Sequence, residues 1–444
     1  MKPKRLGKKQ RVLVSDFWMT NSTKTYWSLS STHSNMEPIQ NFQFLRTSCI
    51  FLSKKPLPNK PFIGVSKTQL CFSHQHHSLR KPVTSKISTN QQTSTISYLI
   101  NSCGLLPETA SLVSQKVHLQ NPEKANSVLA LLRKHGFSQT QISNLIRKRP
   151  LLLLADPENT LLPKLEFFHS IGASSTDLAR VLTADPTLLT RSLENQIVPC
   201  YNFLKSVLLS DKKIVTALKR TSWIFLEGHT KNLIPNISFL RELGVPESCI
   251  VLLLTHFPEA LMQKHDNFGH IVNEVKEMGF DPMKSTFVLA IHAISGKGNK
   301  SIWERCYEVY RRWGWSKDEI LLAFRKHPHC MILSEKKIMK AMDFFVNKMG
   351  WPSKMIAKCP VVLLFSLERR IVPRCSVIQV LSLKGLVKKD MSLTTVLLPV
   401  EESFLERFVT RFQEEIPQLM SVYQGKVYLE SIIWTCRMGW EWDY

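Results

Sequence analysis

The stretch RPLLLLADPENTLLPKLEFFHSIG, from Arg149 to Gly172, decides the fold. Its leucines are as dense as those of a buried helix, yet Pro150, Pro157 and Pro163 interrupt it. Proline has no backbone N–H and keeps the residue before it out of the α region, so it ends or bends a helix. The stretch therefore predicts several short helical pieces that begin or bend at the prolines.

The same pattern recurs along the chain. Glycines that follow an apolar helical run lie 35 or 36 residues apart, or at twice that distance, at Gly136, Gly172, Gly244, Gly279, Gly314 and Gly350. Residue 208 fills the vacant position without glycine. A first proline keeps a similar period at Pro150, Pro186, Pro258, Pro328 and Pro360, and Ser222 takes its place once. A second proline lies 13 residues after this position in four repeats, at Pro163, Pro199, Pro235 and Pro373. Such agreement between residue types indicates an internal helical repeat.

Each repeat contains signals for two helices. Capping boxes are predicted where Ser138 precedes Gln141 and Ser316 precedes Glu319, and Asp281-Pro282 predicts another helix start. This short helix ends at the first proline, and a short apolar helical turn follows it into the core. A longer helix then begins after Asp156, Ser192, Ser334 or Ser366. We expect it to bend at the second proline and to end at the glycine in a left-handed conformation.

Residues 96–385 hold about eight such repeats, each too small to bury its own apolar face, so neighbours must stack. The prediction is a curved all-α solenoid with a concave groove. Residues 386–425 predict a helical unit that caps the array, and residues 426–444 receive no role. Two repeats lack the first proline, at Ser222-Trp223 and in AISGKGNKSIWERC (Ala293–Cys306), so their stacking is left open.

The charge is uneven. The chain of 444 residues carries a net charge of +24, and residues 1–95 hold 15 Lys and Arg but only two acids. Their Ser- and Thr-rich composition predicts an organelle transit peptide, with a disordered basic tail as the alternative. We interpret the cluster of His74, His76 and His77 as disordered rather than metal-binding.

Ten cysteines without a CxxC pair indicate reduced thiols. No apolar run of the chain is long enough to span a membrane.

The repeats resemble those of the mitochondrial transcription termination factor (mTERF) family, in its plant branch. The segments that carry the resemblance are SYLINSCGL, LPKLEFFHSIG, FLRELGVP, FFVNKMGW, YRRWGWS and LERRIVPR, and it covers residues 96–425. The resemblance implies a right-handed superhelical α-solenoid in mitochondria, or alternatively chloroplasts. It also implies binding of organellar DNA or RNA, and a non-enzymatic role in transcription termination or initiation, intron splicing or ribosome biogenesis.

Basic residues recur just before the first proline, at Arg147, Lys148, Arg149, Lys219, Arg220, Arg325, Lys326 and Lys358. Cations in a last helical turn offset the helix dipole by about 0.3–1 kcal/mol each and need no ligand. A row of cations along a solenoid could instead follow a phosphate backbone. A second set lies near the start of the long helix, at Arg191, Lys231, Lys336, Lys337, Arg369, Arg370 and Arg374. A solvated helix face is its alternative interpretation.

From these sets we predict nucleic-acid contacts at Arg147, Arg149, Arg191, Lys219, Arg220, Arg311, Arg312, Arg325, Lys326, Arg369, Arg370 and Arg374. The aromatic residues Trp303, Tyr307, Tyr310, Trp313 and Trp315 could stack on bases, but the i, i+4, i+7 spacing of Trp303, Tyr307 and Tyr310 favours core packing.

No catalytic set, metal site or cofactor is predicted. SGKGNKS (Ser295–Ser301) lacks the Walker spacing, and HPHC (His327–Cys330) lacks a second ligand cluster. We therefore expect a monomeric, non-enzymatic protein that binds organellar DNA or RNA. The alternative is a scaffold for other organellar gene-expression proteins.

Overall fold

A computed structural model of the chain describes residues 89–296, 298–388 and 391–426. Most of the predicted transit peptide (residues 1–88 of 1–95), with the cluster of His74, His76 and His77, lies outside these residues, as do Lys297 and the tail from residue 427. Within them the secondary structure is helical, without a strand. The predicted fold class, an all-α stack of helical repeats, is confirmed.

The described α-helices are, in chain order, α1 (Thr89–Asn101), α2 (Pro107–Ser114), α3 (Pro122–Lys134), α4 (Gln139–Lys148), α5 (Leu162–Ser170), α6 (Ser175–Ala184), α7 (Val198–Leu208), α8 (Asp211–Arg220), α9 (Glu227–Glu242), α10 (Glu247–His256), α11 (Pro258–Leu261), α12 (His265–Glu277), α13 (Ser285–Ser295), α14 (Asn299–Arg312), α15 (Lys317–Lys326), α16 (Glu335–Asp343), α17 (Ser353–Lys358), α18 (Val372–Leu383), α19 (Leu393–Leu397), α20 (Glu401–Phe408) and α21 (Leu419–Tyr423). They belong to two compact bodies. The N-terminal body includes residues 89–269 and 282–288, and the C-terminal body includes residues 270–281 and the described residues from 289 to 426.

The apolar turn after the first proline, which we call the plug, is confirmed. It is a 3₁₀ helix at Pro150–Leu154, Pro186–Thr190, Ser222–Phe225, Pro328–Ile332 and Pro360–Leu364, and α11 takes its place after Phe257. Leu152 and Leu153 are buried, whereas Leu151 is 62% exposed. This plug therefore places apolar side chains between its own helices, while Leu151 and Leu154 face solvent.

The second proline is accommodated differently from the prediction of a simple bend. A π-helical turn directly precedes α5, α7 and α18, at Pro157–Leu161, Leu193–Ile197 and Leu367–Ile371, and the second residue of each of these helices is the proline. In the first of these turns the N–H of Leu161 donates to the carbonyl of Asp156, five residues back. The backbone hydrogen-bond pattern changes from π to α at Pro163. Because proline has no N–H, it needs no backbone acceptor at this change. By contrast, Pro235 lies inside the continuous helix α9.

The glycine ends of the long helices are confirmed. All six glycines of the repeat have a positive φ, between 68° and 90°. The vacant position is filled one residue later than predicted. Leu209, not residue 208, adopts the left-handed conformation (φ 57°) after α7, and it is 79% exposed.

This conformation predicts that Leu209→Gly stabilises the N-terminal body. A left-handed non-glycine residue costs about 1–2 kcal/mol, and the greater freedom of glycine in the unfolded chain offsets about half of the gain. We expect a net gain of about 0.5–1 kcal/mol, measured as a higher urea midpoint. The control Leu112→Gly, at another exposed leucine but within α2, should lower the midpoint by a similar amount. A lower midpoint for Leu209→Gly would contradict the strain.

The predicted helix starts are mostly confirmed. Both capping boxes form, at Ser138 with Gln141 and at Ser316 with Glu319. The side chains of Asp156, Ser192, Ser334 and Ser366 each accept a hydrogen bond from a backbone N–H of the following turn. The prediction for Asp281-Pro282 is wrong. These residues form the turn before α13, which begins at Ser285, so the missing N–H of the proline falls outside the helix.

Both repeats without the first proline still stack on a neighbouring repeat. In one, the hydroxyl of Ser222 donates to the Oδ2 atom of Asp185 in the preceding repeat (3.0 Å), and the indole N–H of Trp223 donates to the same oxygen. In the other, the hydroxyl of Tyr310 donates to the carbonyl of Cys330 in the following repeat (2.8 Å). Side-chain hydrogen bonds thus join these repeats to their neighbours.

Candidate nucleic-acid interface

Polar side chains of the long helices connect each repeat to the next. Three donors lie directly after the second proline, and each bonds a backbone carbonyl 25 residues further along. They are Lys164 to Leu189 (2.7 Å), Asn236 to Leu261 (2.9 Å) and Arg374 to Pro399 (2.8 Å). Carbonyls at the end of a helical turn lack a partner within the helix, so these donors satisfy them. We call these contacts the carbonyl latches; the sequence analysis predicted bends at the prolines but not these bonds.

Arg374 and Arg370 hold the C-terminal segment. Arg374 is only 1% exposed, and its guanidinium donates to three carbonyls between residues 396 and 399 and lies 4.6 Å from the ring centroid of Phe404. Arg370 donates to three carbonyls of the same segment, and burial lowers its pKa to about 10. The sequence predicted nucleic-acid contacts for both. Because their donors point into the protein, the function proposed below does not include them.

Two helix-end lysines cap the next repeat. The ammonium of Lys148 at the end of α4 donates to the carbonyls of Thr183 (2.8 Å) and Ala184 (2.6 Å) at the end of α6. Lys326 at the end of α15 donates to the carbonyl of Lys358 (2.9 Å) at the end of α17. These bonds agree with the helix-dipole interpretation, but the helix that each cation stabilises is the equivalent helix of the following repeat. Both lysines remain exposed, so their charge also reaches solvent.

Most other predicted contacts are anchored on the surface. The partners are Asn144 for Arg147 (3.2 Å), Thr187 for Arg149 (3.1 Å), Asp177 for Lys219 (2.6 Å), the carbonyl of Trp315 for Arg311 (3.1 Å), Glu335 for Arg312 (2.6 Å) and the carbonyl of Met278 for Arg325 (3.2 Å). Two of these cations, Lys219 and Arg312, form ion pairs that partly neutralise them. Arg220 is half-buried and counteracts the rise in the pKa of Glu259 that burial causes.

Within the two predicted basic sets, four side chains have the greatest freedom to meet a ligand. Arg191, Lys336, Lys358 and Arg369 are exposed, and their side chains make no hydrogen bond or ion pair with another residue in the described part of the chain. Arg191 directly precedes the helix cap Ser192, and Lys336 and Arg369 lie in the first turn after Ser334 and Ser366. Arg191, Lys336 and Arg369 therefore lie at the start of the long helix, whereas Lys358 ends the short helix α17.

The aromatic residues of α14 and its end belong mainly to the core. Tyr310 and Trp315 are fully buried, and their rings stack with centroids 4.4 Å apart. Trp303 is half-buried and packs edge-on against Phe324. The core interpretation is therefore confirmed for Tyr310, and Trp315 lies in the core as well, so neither ring can reach a base from the interior.

The HPHC motif is also internal. His329 is buried, its Nε2 atom lies 3.1 Å from Nδ1 of His292, and burial lowers the pKa of His327 to about 4. Among residues 89–296, 298–388 and 391–426, no group of three or more His, Cys, Asp or Glu is arranged to hold a metal ion. The seven described cysteines are free thiols, and six of them are buried. None of the described helices is long and apolar enough to cross a membrane.

The fold and the surface define a helical-repeat protein whose repeats present cations at recurring positions. A model of the mTERF family matches residues 129–294 and 293–405, more than half of the chain, and the chain belongs to this family. The family comprises organellar nucleic-acid-binding regulators of gene expression. The chain is also similar to the Arabidopsis thaliana protein "Transcription termination factor MTERF15, mitochondrial", with 32% identity over 89 residues. That match covers 20% of this chain and 20% of the relative.

Proposed function

We propose that this protein binds organellar nucleic acid through the exposed cations of its repeats and acts in transcription termination or RNA maturation. The observation that carries the proposal is the recurrence of exposed cations at the same repeat positions, with Lys148 and Lys326 held by equivalent bonds. A cation that is already anchored loses less side-chain entropy when it meets a phosphate. The bonds of Lys148 and Lys326 to the next repeat would thus prepare these two cations for a polyanion.

We propose that this activity takes place in the mitochondrion, because the Arabidopsis relative is named as a mitochondrial protein. Residues 1–95 would supply the targeting signal, as their basic and acid-poor composition predicts. The proposed contacts are the exposed members of the predicted set, Arg147, Arg149, Arg191, Lys219, Arg311, Arg312, Arg325, Lys326 and Arg369, with the half-buried Arg220 at the edge. We add Lys148, Lys336 and Lys358 to the proposed contacts, because they are exposed cations of the two predicted basic sets.

Salt dependence tests this proposal. If about six phosphates are neutralised, affinity should fall about a thousandfold between about 50 mM and 200 mM salt. The double variant Arg147→Gln with Arg191→Gln should reduce the slope of log affinity against log salt by about two. Fluorescence anisotropy with labelled RNA and duplex DNA measures both.

The matched control is the double variant Lys212→Gln with Lys213→Gln. It removes the same charge from exposed positions in the first turn of α8, at the other end of this helix from Lys219 and Arg220. We expect its slope to equal that of the wild type. An affinity that hardly responds to salt, or a control that reduces the slope as much as the test variant, would refute the proposed contacts.

A further inference from the structure

An exposed tryptophan stands in the plug of the third repeat. Trp223 is 51% exposed, although tryptophan is among the side chains that gain most from burial. The equivalent positions, directly after the first proline of the other repeats, hold Leu151, Thr187, Glu259, His329 and Val361. The indole is therefore an exposed aromatic ring on the plug, whereas His329, the other aromatic ring at this position, is buried.

The indole is anchored at its edge. Its N–H donates to the Oδ2 atom of Asp185, which also accepts from the hydroxyl of Ser222 (3.0 Å), while the Oδ1 atom accepts from the backbone N–H of Thr187 (3.0 Å). Burial acts to raise the pKa of Asp185, but these hydrogen bonds hold it below its usual value. The carboxylate is therefore ionised at neutral pH and fixes the ring against the preceding repeat.

Cations lie on the neighbouring plug and at the end of the preceding helix. The guanidinium of Arg149 donates to the hydroxyl of Thr187. Thr187 belongs to the plug Pro186–Thr190, which packs against the plug that contains Trp223. Helix α8 ends with Lys219 and Arg220, four and three residues before Trp223 in the chain. Aromatic faces beside backbone-binding cations are the combination that proteins use for single-stranded nucleic acid, where the base stacks and the phosphate meets the charge.

We infer that Trp223 is a stacking site for an unpaired base and gives the N-terminal body a preference for single-stranded nucleic acid. This inference rests on the proposed function and specifies its ligand class. In a duplex the base faces are covered by their neighbours, so Trp223 adds nothing to duplex affinity. In a single strand one base lies on the indole while its phosphates meet Arg149 and Arg220.

The test compares Trp223→Ala with the wild-type full chain. Stacking contributes about 1–3 kcal/mol per base, so affinity for a single-stranded uridine oligonucleotide should fall about fivefold to a hundredfold. Affinity for a duplex should change less than about twofold, since cation contacts remain. Trp223→Phe should retain most of the affinity, and Asp185→Ala, which releases the indole N–H, should lose part of it. Leu112→Ala is the control, because it removes an exposed apolar side chain from α2.

The outcomes separate the inference from the proposed function. If the wild type binds neither single strands nor duplex, both fail. If it binds them but Trp223→Ala weakens neither, or weakens both equally, stacking is wrong while cation-based binding stands. Comparing the affinity for a single-stranded thymidine oligonucleotide with that for the uridine oligonucleotide shows whether DNA or RNA supplies the unpaired base. If Trp223→Ala does not fold, photocrosslinking of the wild type to 4-thiouridine RNA decides: a crosslink at Trp223 supports the inference, and crosslinks elsewhere alone overturn it.

Discussion

Replacing Arg374 by alanine is expected to destabilise the end of the C-terminal body by about 2–4 kcal/mol. The guanidinium is buried and donates to the carbonyls of Val396, Leu397 and Pro399. Alanine would leave the carbonyl of Val396 without this donor and would open a cavity beside Phe404. Arg370 still reaches the carbonyls of Leu397 and Pro399, which limits the loss.

Amide hydrogen exchange measures this effect locally, which suits a chain with two compact bodies. Amides of α19 and α20 should exchange about thirtyfold to several hundredfold faster in Arg374→Ala. The matched control is Arg369→Ala, which removes an exposed arginine from the same helix start and should change exchange less than about twofold. Equal protection in Arg374→Ala and wild type would show that the latch does not hold this segment.

The repeat itself could be predicted from the sequence because its markers act locally. A proline, a capping serine or a left-handed glycine imposes its geometry on the nearest turn, whatever the rest of the chain does. The carbonyl latches could not be predicted in this way. Lys164 and Leu189 are 25 residues apart, and only the stacking register of two repeats brings their atoms to 2.7 Å. The signal that existed was positional, because the donor directly follows the second proline in three repeats.

The candidate interface, too, could be predicted from the sequence only in part. The sequence located the cations, but not which of them face solvent. Arg369 and Arg370 are consecutive, yet Arg369 is exposed and Arg370 bonds three carbonyls, because successive residues of a helix point about 100° apart. Trp223 was noted only as a departure from the repeat. Its anchoring by Asp185 depends on a contact between two plugs, and a single-repeat pattern does not contain it.

Trp315→Ala is expected to cost about 3–5 kcal/mol, which is the largest effect of these substitutions. Trp315 is fully buried and stacks on Tyr310 with ring planes 6° apart. Its indole N–H donates to the hydroxyl of Ser353 (2.8 Å), which in turn donates to the carbonyl of Trp313 (2.7 Å). The side chain therefore joins the end of one repeat to the first residue of α17 in the next, and alanine removes both the ring packing and this bond.

The loss should appear as faster amide exchange throughout α15 and α17, by at least about a hundredfold. Trp315→Phe keeps an aromatic ring against Tyr310 but loses the N–H donor, so we expect a smaller cost of about 1–2 kcal/mol. The matched control is Trp313→Ala, since Trp313 is only half-buried and lies two residues away. If Trp313→Ala and Trp315→Ala accelerate exchange equally, the junction does not depend on the buried indole. If Trp315→Ala instead leaves exchange unchanged but weakens nucleic-acid binding, the ring acts on the ligand and not in the core.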